Sequence, residues 1–264
     1  MVLQEEIKIV TINTWKCDGE YRKRMTVLAK QLAALKPHII ACQECFVNRE
    51  VNTLNFLAKS LNMYSCYLPG RRKDRYFEGK MTDSESGLGV LSVYPVAQTG
   101  FIILPAVPED NDRKAQQVEI SLPSETKIAL TNVHLTHLSE PGLRHAQAES
   151  LATVVSADKS SPYHLICGDF NALINSPELE TFRELSGAID CYEEGKGVKP
   201  RYSLLDPFKQ DRKICVDHIL SMPLQGKDSY PEFINSGIVL DKEDPATKLY
   251  GSDHFGICTS LVIK

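Results

Sequence analysis

Tyr163-His164-Leu165-Ile166-Cys167-Gly168-Asp169-Phe170-Asn171 is the stretch on which the fold turns. Its first five residues suit a short strand buried in a core, and Gly168 then releases the chain into an acid and an amide. The same arrangement recurs on either side. Asn13 follows Ile9-Val10-Thr11-Ile12, Glu44 follows Ile39-Ile40-Ala41-Cys42-Gln43, and His134 ends Ile128-Ala129-Leu130-Thr131-Asn132-Val133. Asp217-His218 interrupts Ile214-Cys215-Val216 and Ile219-Leu220, and Asp253-His254 precedes Phe255-Gly256-Ile257. Strands of one sheet system end along common edges, so polar groups far apart in the chain are expected to converge.

Between these strands lie helical patterns. Tyr21, Met25, Leu28, Leu32 and Leu35 recur at spacings of four and three, an amphipathic helix ended by Lys36-Pro37. Val51, Leu54, Leu57 and Leu61 share one face of a second helix, and a third is predicted from about Gly142 to Val155. Ser176-Pro177 opens a short fourth, with Ser176 at the N-cap and Pro177 at the first helical position. Further strands are predicted near 63–68, 88–94, 98–104, 115–121 and 127–133, with the last two at Ile214 to Leu220 and Phe255 to Ile263. Strands outnumber helices and both occur in each half, which fits helices covering the outsides of two stacked sheets. No repeat, low-complexity tract or linker divides the 264 residues, so one α/β (α+β) domain over 1–264 is expected: a four-layer sandwich of two mixed β-sheets flanked by helices.

A net charge of -4 gives no global attraction to nucleic acid or to an anionic membrane, so a polyanion would need a local patch. No apolar run approaches the ~18 residues of a spanning helix. Met1 to Glu6 lack a basic segment followed by an apolar one, so no secretory leader and a cytoplasmic setting are expected. The eight cysteines are scattered. Cys42 and Cys45 form a CxxC, but no second pair completes a zinc site, and packing is the simpler account.

Each strand-end residue has an ordinary structural explanation, as a turn residue, a helix cap or a satisfied core histidine. Their number changes the balance. Glu44, Asp169, Asp217 and Asp253 would place four carboxylates in one cleft, which is costly unless cations or protons offset them. Carboxylate and amide oxygens select hard cations, Mg²⁺ first. Two histidines beside them supply acid, base or phosphate-stabilising groups, and together these are the equipment for hydrolysing a phosphate ester.

Seven short blocks stand in order along the chain: Thr11-Ile12-Asn13, Gln43-Glu44, Ser86-Gly87-Leu88-Gly89-Val90-Leu91-Ser92, Asn132-Val133-His134-Leu135, Gly168-Asp169-Phe170-Asn171-Ala172, Val216-Asp217-His218-Ile219 and Ser252-Asp253-His254-Phe255-Gly256. In these blocks the sequence resembles the DNase-like endonuclease/exonuclease/phosphatase superfamily over nearly its whole length. The resemblance implies a DNase-like fold and a divalent-metal-dependent hydrolase using Mg²⁺, with Mn²⁺ as substitute. By the same resemblance Glu44 is the principal metal ligand, with Asn13 and Asp253 completing the site. Asp169 would orient or deprotonate the attacking water, and Asn171 would hold the phosphate. His254 would bind or protonate the phosphate with Asp217 fixing its tautomer, and His134 would be the second imidazole.

Substrate is less legible. Arg71, Arg72, Lys73 and Arg75, followed by Tyr76-Phe77, lie in a long stretch between Pro69 and Gly87 read as a loop, and could bind phosphates and stack a base. The alternative is a solvated loop with its aromatics in the core. Segments that mark characterised branches of the superfamily do not match: Ala172-Leu173-Ile174 and Cys215-Val216-Asp217-His218 differ from those of inositol polyphosphate phosphatases. A nucleic-acid or nucleotide phosphodiester is the leading substrate class, with no stable membrane insertion. The alternatives are a phospholipid or small-molecule phosphatase and, against four converging acids, an inactive binding module.

Overall fold

A computed structural model describes residues 4–204 and 214–264; Met1–Leu3, on which the N-terminal expectation begins, lie outside them. In chain order the first half runs β1 (Glu5–Asn13), α1 (Tyr21–Leu35), β2 (Ile39–Val47), α2 (Thr53–Leu61), β3 (Tyr64–Phe77), β4 (Lys80–Ser92) and β5 (Val96–Ile103). It continues with β6 (Lys114–Ser121), β7 (Lys127–His134), α3 (Leu143–Ala157), β8 (Tyr163–Asp169) and α4 (Pro177–Ser186). Last come β9 (Ile189–Asp190), α5 (Cys191–Glu194), β10 (Asp217–Ser221), β11 (Glu232–Val239) and β12 (Gly256–Ile263).

Two six-stranded mixed sheets result, ordered β11-β12-β1-β2-β4-β3 and β5-β6-β7-β8-β10-β9. Each holds one parallel pair, β1 with β2 and β7 with β8, joined by a crossover helix, α1 or α3. The expected sandwich of two mixed sheets flanked by helices is what forms. Ile7 and Ile9 of β1 enter the layer between the sheets, where they join Val118, Leu130, Leu165 and Ile219. Val10 and Ile12 point the other way, to Leu28 and Leu32 of α1. On the far side Ile166 and Leu220 meet Leu151 of α3 and Phe182 of α4. Strands buried on both faces read as unbroken apolar runs, which is why these were legible. Burial of each large side chain contributes about 1.5–3 kcal/mol.

One expectation is corrected. The stretch between Pro69 and Gly87 is not a loop: β3 continues to Phe77 and pairs antiparallel with β4, which begins at Lys80. Its charged residues conceal the strand because neither face of this hairpin is wholly buried. Ser176 and Pro177 stand at the N-cap and the start of α4 as expected; the Ser176 carbonyl accepts from the Leu179 and Glu180 N–H groups, while its side chain makes no capping bond. β11, a strand outside those expected, is a half-exposed edge strand with a bulge between Phe233 and Asn235 and so lacks an apolar signature.

Candidate active site

Side chains alternate along a strand, and that alternation aims the site. Asn13 shares its parity with Ile7 and Ile9, Asp169 with Leu165 and Cys167, and Asp217 with Ile219, all of which face the seam between the sheets. His134 likewise continues the row of Ile128 and Leu130. These polar groups are therefore the last members of core-facing rows, at the mouth of the seam. Register completes the convergence: His134 pairs with Asp169 across the parallel ladder, and Asp217 lies directly opposite Asp169 across the antiparallel one.

Asp169 Oδ2 is the hub. It accepts from Asn13 Nδ2 at 3.0 Å and lies 3.5 Å from His134 Nε2 and 3.9 Å from His254 Nε2. Its other oxygen accepts from the Asn171 backbone N–H at 2.9 Å. Burial, then the facing Asp217 carboxylate, push the Asp169 carboxyl above the usual range, against the opposing pull of His254, Asn13 and Asn171. Asn171 holds a left-handed backbone (φ 49°), and its side-chain amide donates to the Leu135 carbonyl at 3.0 Å. Arg144, on α3, donates to the carbonyls of Asn171 and Leu138, and Gln147 is buried, receiving the Thr136 N–H at 2.8 Å. Both are braces beneath the site.

The two site imidazoles carry opposite charge states. His254 Nδ1 is 2.7 Å from Asp217 Oδ2, and both side chains are buried. Burial disfavours its protonated form, but Asp217, and behind it Asp169 and Asp253, raise its pKa to about 10. It is an imidazolium at neutral pH. Burial, then the charges of Arg113, Lys16 and His254, hold His134 well below its ordinary value, so it is neutral. His218 takes no part: its ring faces the other way, its Nε2 donating to the Ala172 carbonyl (2.8 Å) and its Nδ1 accepting from Arg201 (2.7 Å).

Glu44 reaches the cleft through a break in regularity. Cys42 pairs with Gly89 and Cys45 with Gly87, so a bulge falls between them, and Glu44 sits there with φ 55°. Lys16 Nζ lies 2.8 Å from Glu44 Oε1. Asp253 is held above the ordinary carboxylate range first by burial and then, against the pull of His254, by Glu44. The two acids are thus near enough to repel, and Asn13, whose backbone carbonyl accepts from Ser252 beside Asp253, receives the Trp15 N–H on its Oδ1 at 3.0 Å. This all-oxygen donor set fits a hard divalent cation. A second group, Asp169, Asp217 and His254, brings one donor atom each within 4.8 Å. There, however, Asp217 and His254 already bond each other.

Several supporting residues escaped the sequence reading. Gln43 Nε2 donates to Asn132 Oδ1 (2.7 Å) and Thr11 Oγ1 (3.1 Å), while Asn132 Nδ2 donates to the carbonyls of Cys42 and Gly89, so a fully buried polar knot ties the two sheets together beneath the site. Arg24, only 2% exposed, donates to the carbonyls of Thr14, Trp15, Lys16, Asp18 and Gly251, and stacks 4.6 Å from the Trp15 ring. It joins the turn after Asn13 to the one before Asp253. Ser252 Oγ donates to the Asn13 carbonyl at 2.6 Å. Of the predicted substrate residues, Arg71 and Arg75 line the cleft with Lys73, whereas Arg72 projects from the other face of β3 and pairs with Asp83. Phe77 is buried against Tyr21 and Phe46, and Tyr76 is exposed.

The fold has many solved counterparts. An endonuclease/exonuclease/phosphatase family protein from Leptotrichia buccalis superposes with a TM-score of 0.74 at 18% identity, covering 97% of this chain and 99% of that one. A mannosyl-6-phosphatase of Bacteroides thetaiotaomicron gives 0.73 at 17% identity, with 97% and 100% covered. A humanized TDP2 of D. rerio carrying 14 mutations gives 0.70 at 19% identity, with 97% and 98% covered. No curated protein matches the sequence. The Endonuclease/Exonuclease/phosphatase family matches residues 10–254, from β1 through His254, and the chain belongs to that family of phosphoester hydrolases.

Proposed function

We propose that the protein is a divalent-metal-dependent phosphoester hydrolase, using Mg²⁺ or in its place Mn²⁺, that cleaves a nucleic-acid or nucleotide phosphodiester by attack of water. The observation that carries this is the single oxygen Asp169 Oδ2, which stands 3.5 Å from a neutral imidazole and 3.9 Å from a charged one. Asp169 is the group that orients the water and takes its proton as the new P–O bond forms. His254, kept protonated by Asp217, faces the phosphate and stabilises or protonates the oxygen on which charge develops. His134, neutral, donates a hydrogen bond to the same group, and the Asn171 side chain helps to hold it. Glu44, Asp253 and Asn13 would hold the cation, which when bound supplies Lewis-acid stabilisation of phosphate oxygens. Lys16 balances Glu44 until then.

A reducing, cytoplasmic setting belongs to the same proposal; all eight cysteines are free and seven are buried. Among the described residues no helix is long and apolar enough to cross a membrane. The test is a panel of phosphomonoesters, phosphodiesters, nucleic acids and phospholipids, assayed with Mg²⁺, with Mn²⁺ and with EDTA. Hydrolysis of a nucleic-acid or nucleotide diester that EDTA abolishes is the expected result. Turnover confined to sugar phosphates would move the protein to the small-molecule phosphatases, and undiminished turnover in EDTA would overturn the metal assignment.

A further inference from the structure

The β3–β4 hairpin sorts its charges by face. Cross-strand partners share a face in an antiparallel pair. On one face Arg71 stands opposite Ser86, Lys73 opposite Ser84 and Arg75 opposite Thr82. On the other, Arg72 stands opposite Glu85 and Asp74 opposite Asp83, and Arg72 forms its ion pair with Asp83. The first face sets cations against hydroxyls, unbalanced by any acid, whereas the second sets one cation against three acids.

The unbalanced face looks into the cleft that ends at Glu44 and His134. Among the described residues no carboxylate forms an ion pair with Arg71, Lys73 or Arg75, although the other cleft cations, Lys16, Arg113 and Lys114, each have one. Among the described residues Arg71 donates only to the Glu109 carbonyl (2.7 Å), and Arg75 to Ser84 and to the Arg71 carbonyl. Arg75 Nε is buried without a partner among the described residues. After burial, the charges of Arg75, Arg71 and Lys16 pull the Lys73 ammonium below its ordinary pKa. Three cations at about 6.6 Å intervals along a strand repel one another, and an anion lying among them would turn that repulsion into attraction.

We infer that this stripe is a second phosphate subsite, holding a phosphate group of the substrate other than the one hydrolysed. The inference rests on the hydrolase reading above and narrows its substrate class to molecules that carry at least two phosphate groups. Recognition there is by charge rather than by base stacking. Phe77 is locked in the core and Tyr76 stands on the face away from the cleft, so neither ring that follows the stripe is offered to a base. A nucleic-acid strand and a small bisphosphate present the same chemistry to it.

Binding in excess EDTA separates this subsite from turnover. Two probes are used: fluorescent decathymidylate, and fructose 1,6-bisphosphate compared with fructose 6-phosphate. In Arg71→Ser/Lys73→Ser/Arg75→Ser the affinity for decathymidylate should fall at least tenfold. Its salt dependence should flatten by about 2 in log–log slope, at roughly 0.7 per lost contact to a single strand. Arg72→Ser, on the opposite face, should stay within twofold of wild type. Loss confined to the bisphosphate would place the second phosphate on a small molecule. The single variant Lys73→Ser, whose side chain makes no hydrogen bond among the described residues, repeats the comparison if the triple variant misfolds. The inference is overturned if neither probe loses affinity, or if Arg72→Ser weakens binding equally. An enzyme inert in the hydrolysis panel would sink the hydrolase reading while leaving this binding result to be read.

Discussion

Asp217→Asn keeps the shape of the buried dyad and removes its negative charge. The raising of His254 from its ordinary 6.5 to about 10 corresponds to about 5 kcal/mol of preference for the charged ring. That lies at the upper end of the about 3–5 kcal/mol that breaking a buried ion pair costs. A histidine whose folded pKa lies above its unfolded value contributes its full stabilisation below about pH 6.5 and loses it as the pH climbs through about 10. The variant should therefore be about 3–5 kcal/mol less stable than wild type near pH 6, with the gap narrowing steadily at higher pH. Urea unfolding of the metal-free protein at pH 6, 8 and 10 measures this, and the His254 ring signals in an NMR titration should shift to a lower midpoint. Turnover should fall by about 10²–10⁴-fold, since the ring loses the proton it donates at neutral pH. A stability gap that is constant with pH, or that widens as pH rises, would refute the reasoning and make Asp217 a packing residue.

Glu44→Ala should lose both metal-dependent turnover and the Mg²⁺-induced rise in melting temperature, which in wild type reflects about 2.7 kcal/mol at 100-fold saturation. Its metal-free form should melt close to metal-free wild type, because relief of the repulsion between Glu44 and Asp253 offsets loss of the Lys16–Glu44 ion pair. Asp169→Asn and His254→Ala should each cost about 10²–10⁴ in turnover, and the double variant much less than the product of the two, as measured by single-turnover kinetics; full multiplicativity would place them in separate steps. His164, buried against Thr131 at 2.9 Å, has its pKa lowered by burial to about 4. The unfolded chain therefore binds the extra proton between about pH 6.5 and 4, and wild type should lose about 3 kcal/mol more than His164→Gln over that fall; parallel urea-midpoint curves for the two would contradict this.

How much of this was legible depended on where each residue's energy comes from. β1, β2, β7 and β8 announce themselves because both of their faces are buried, and the residues that end them stand out as polar interruptions. The hairpin did not, because Arg71 through Arg75 show no apolar alternation and their pairing rests on the ladder itself and on exposed ion pairs. Arg24 sits one residue before Met25 on a helix whose apolar stripe was evident, yet nothing in a single sequence distinguishes a surface arginine from one binding five carbonyls. Lys16 and Arg113 were equally silent: their partners, Glu44 and the His134 carbonyl, are neighbours only after folding. Arg72 was grouped with Arg71 and Arg75 by adjacency, where strand parity separates them.

Alternation alone would have aimed Asn13, His134, Asp169 and Asp217 at the seam, but it could not have delivered Glu44 or the Asn171 amide. Those two come from departures, φ 55° at the β2 bulge and φ 49° after β8. Gly168 makes a third: with φ 151°, a Cβ there would stand 2.0 Å from the Val133 carbonyl oxygen, so only glycine lets β8 run close enough to β7 at this point. Left-handed non-glycine residues cost of order 1–3 kcal/mol each and persist where their surroundings over-determine them. The surroundings here do so. Asp169 captures the Asn171 N–H, Arg144 its carbonyl, and the Thr14 hydroxyl donates to the Gln43 or Glu44 carbonyl at 3.0 and 3.1 Å. Arg24 gathers the carbonyls of the turn that carries Lys16. The irregular backbone therefore lies where the regular strands stop and the chemistry begins, clamped by buried hydrogen bonds on both sheets. On the proposed hydrolase reading a site held this way is preorganised: its charges are fixed before substrate arrives, and stabilising the transition state requires little rearrangement of the protein.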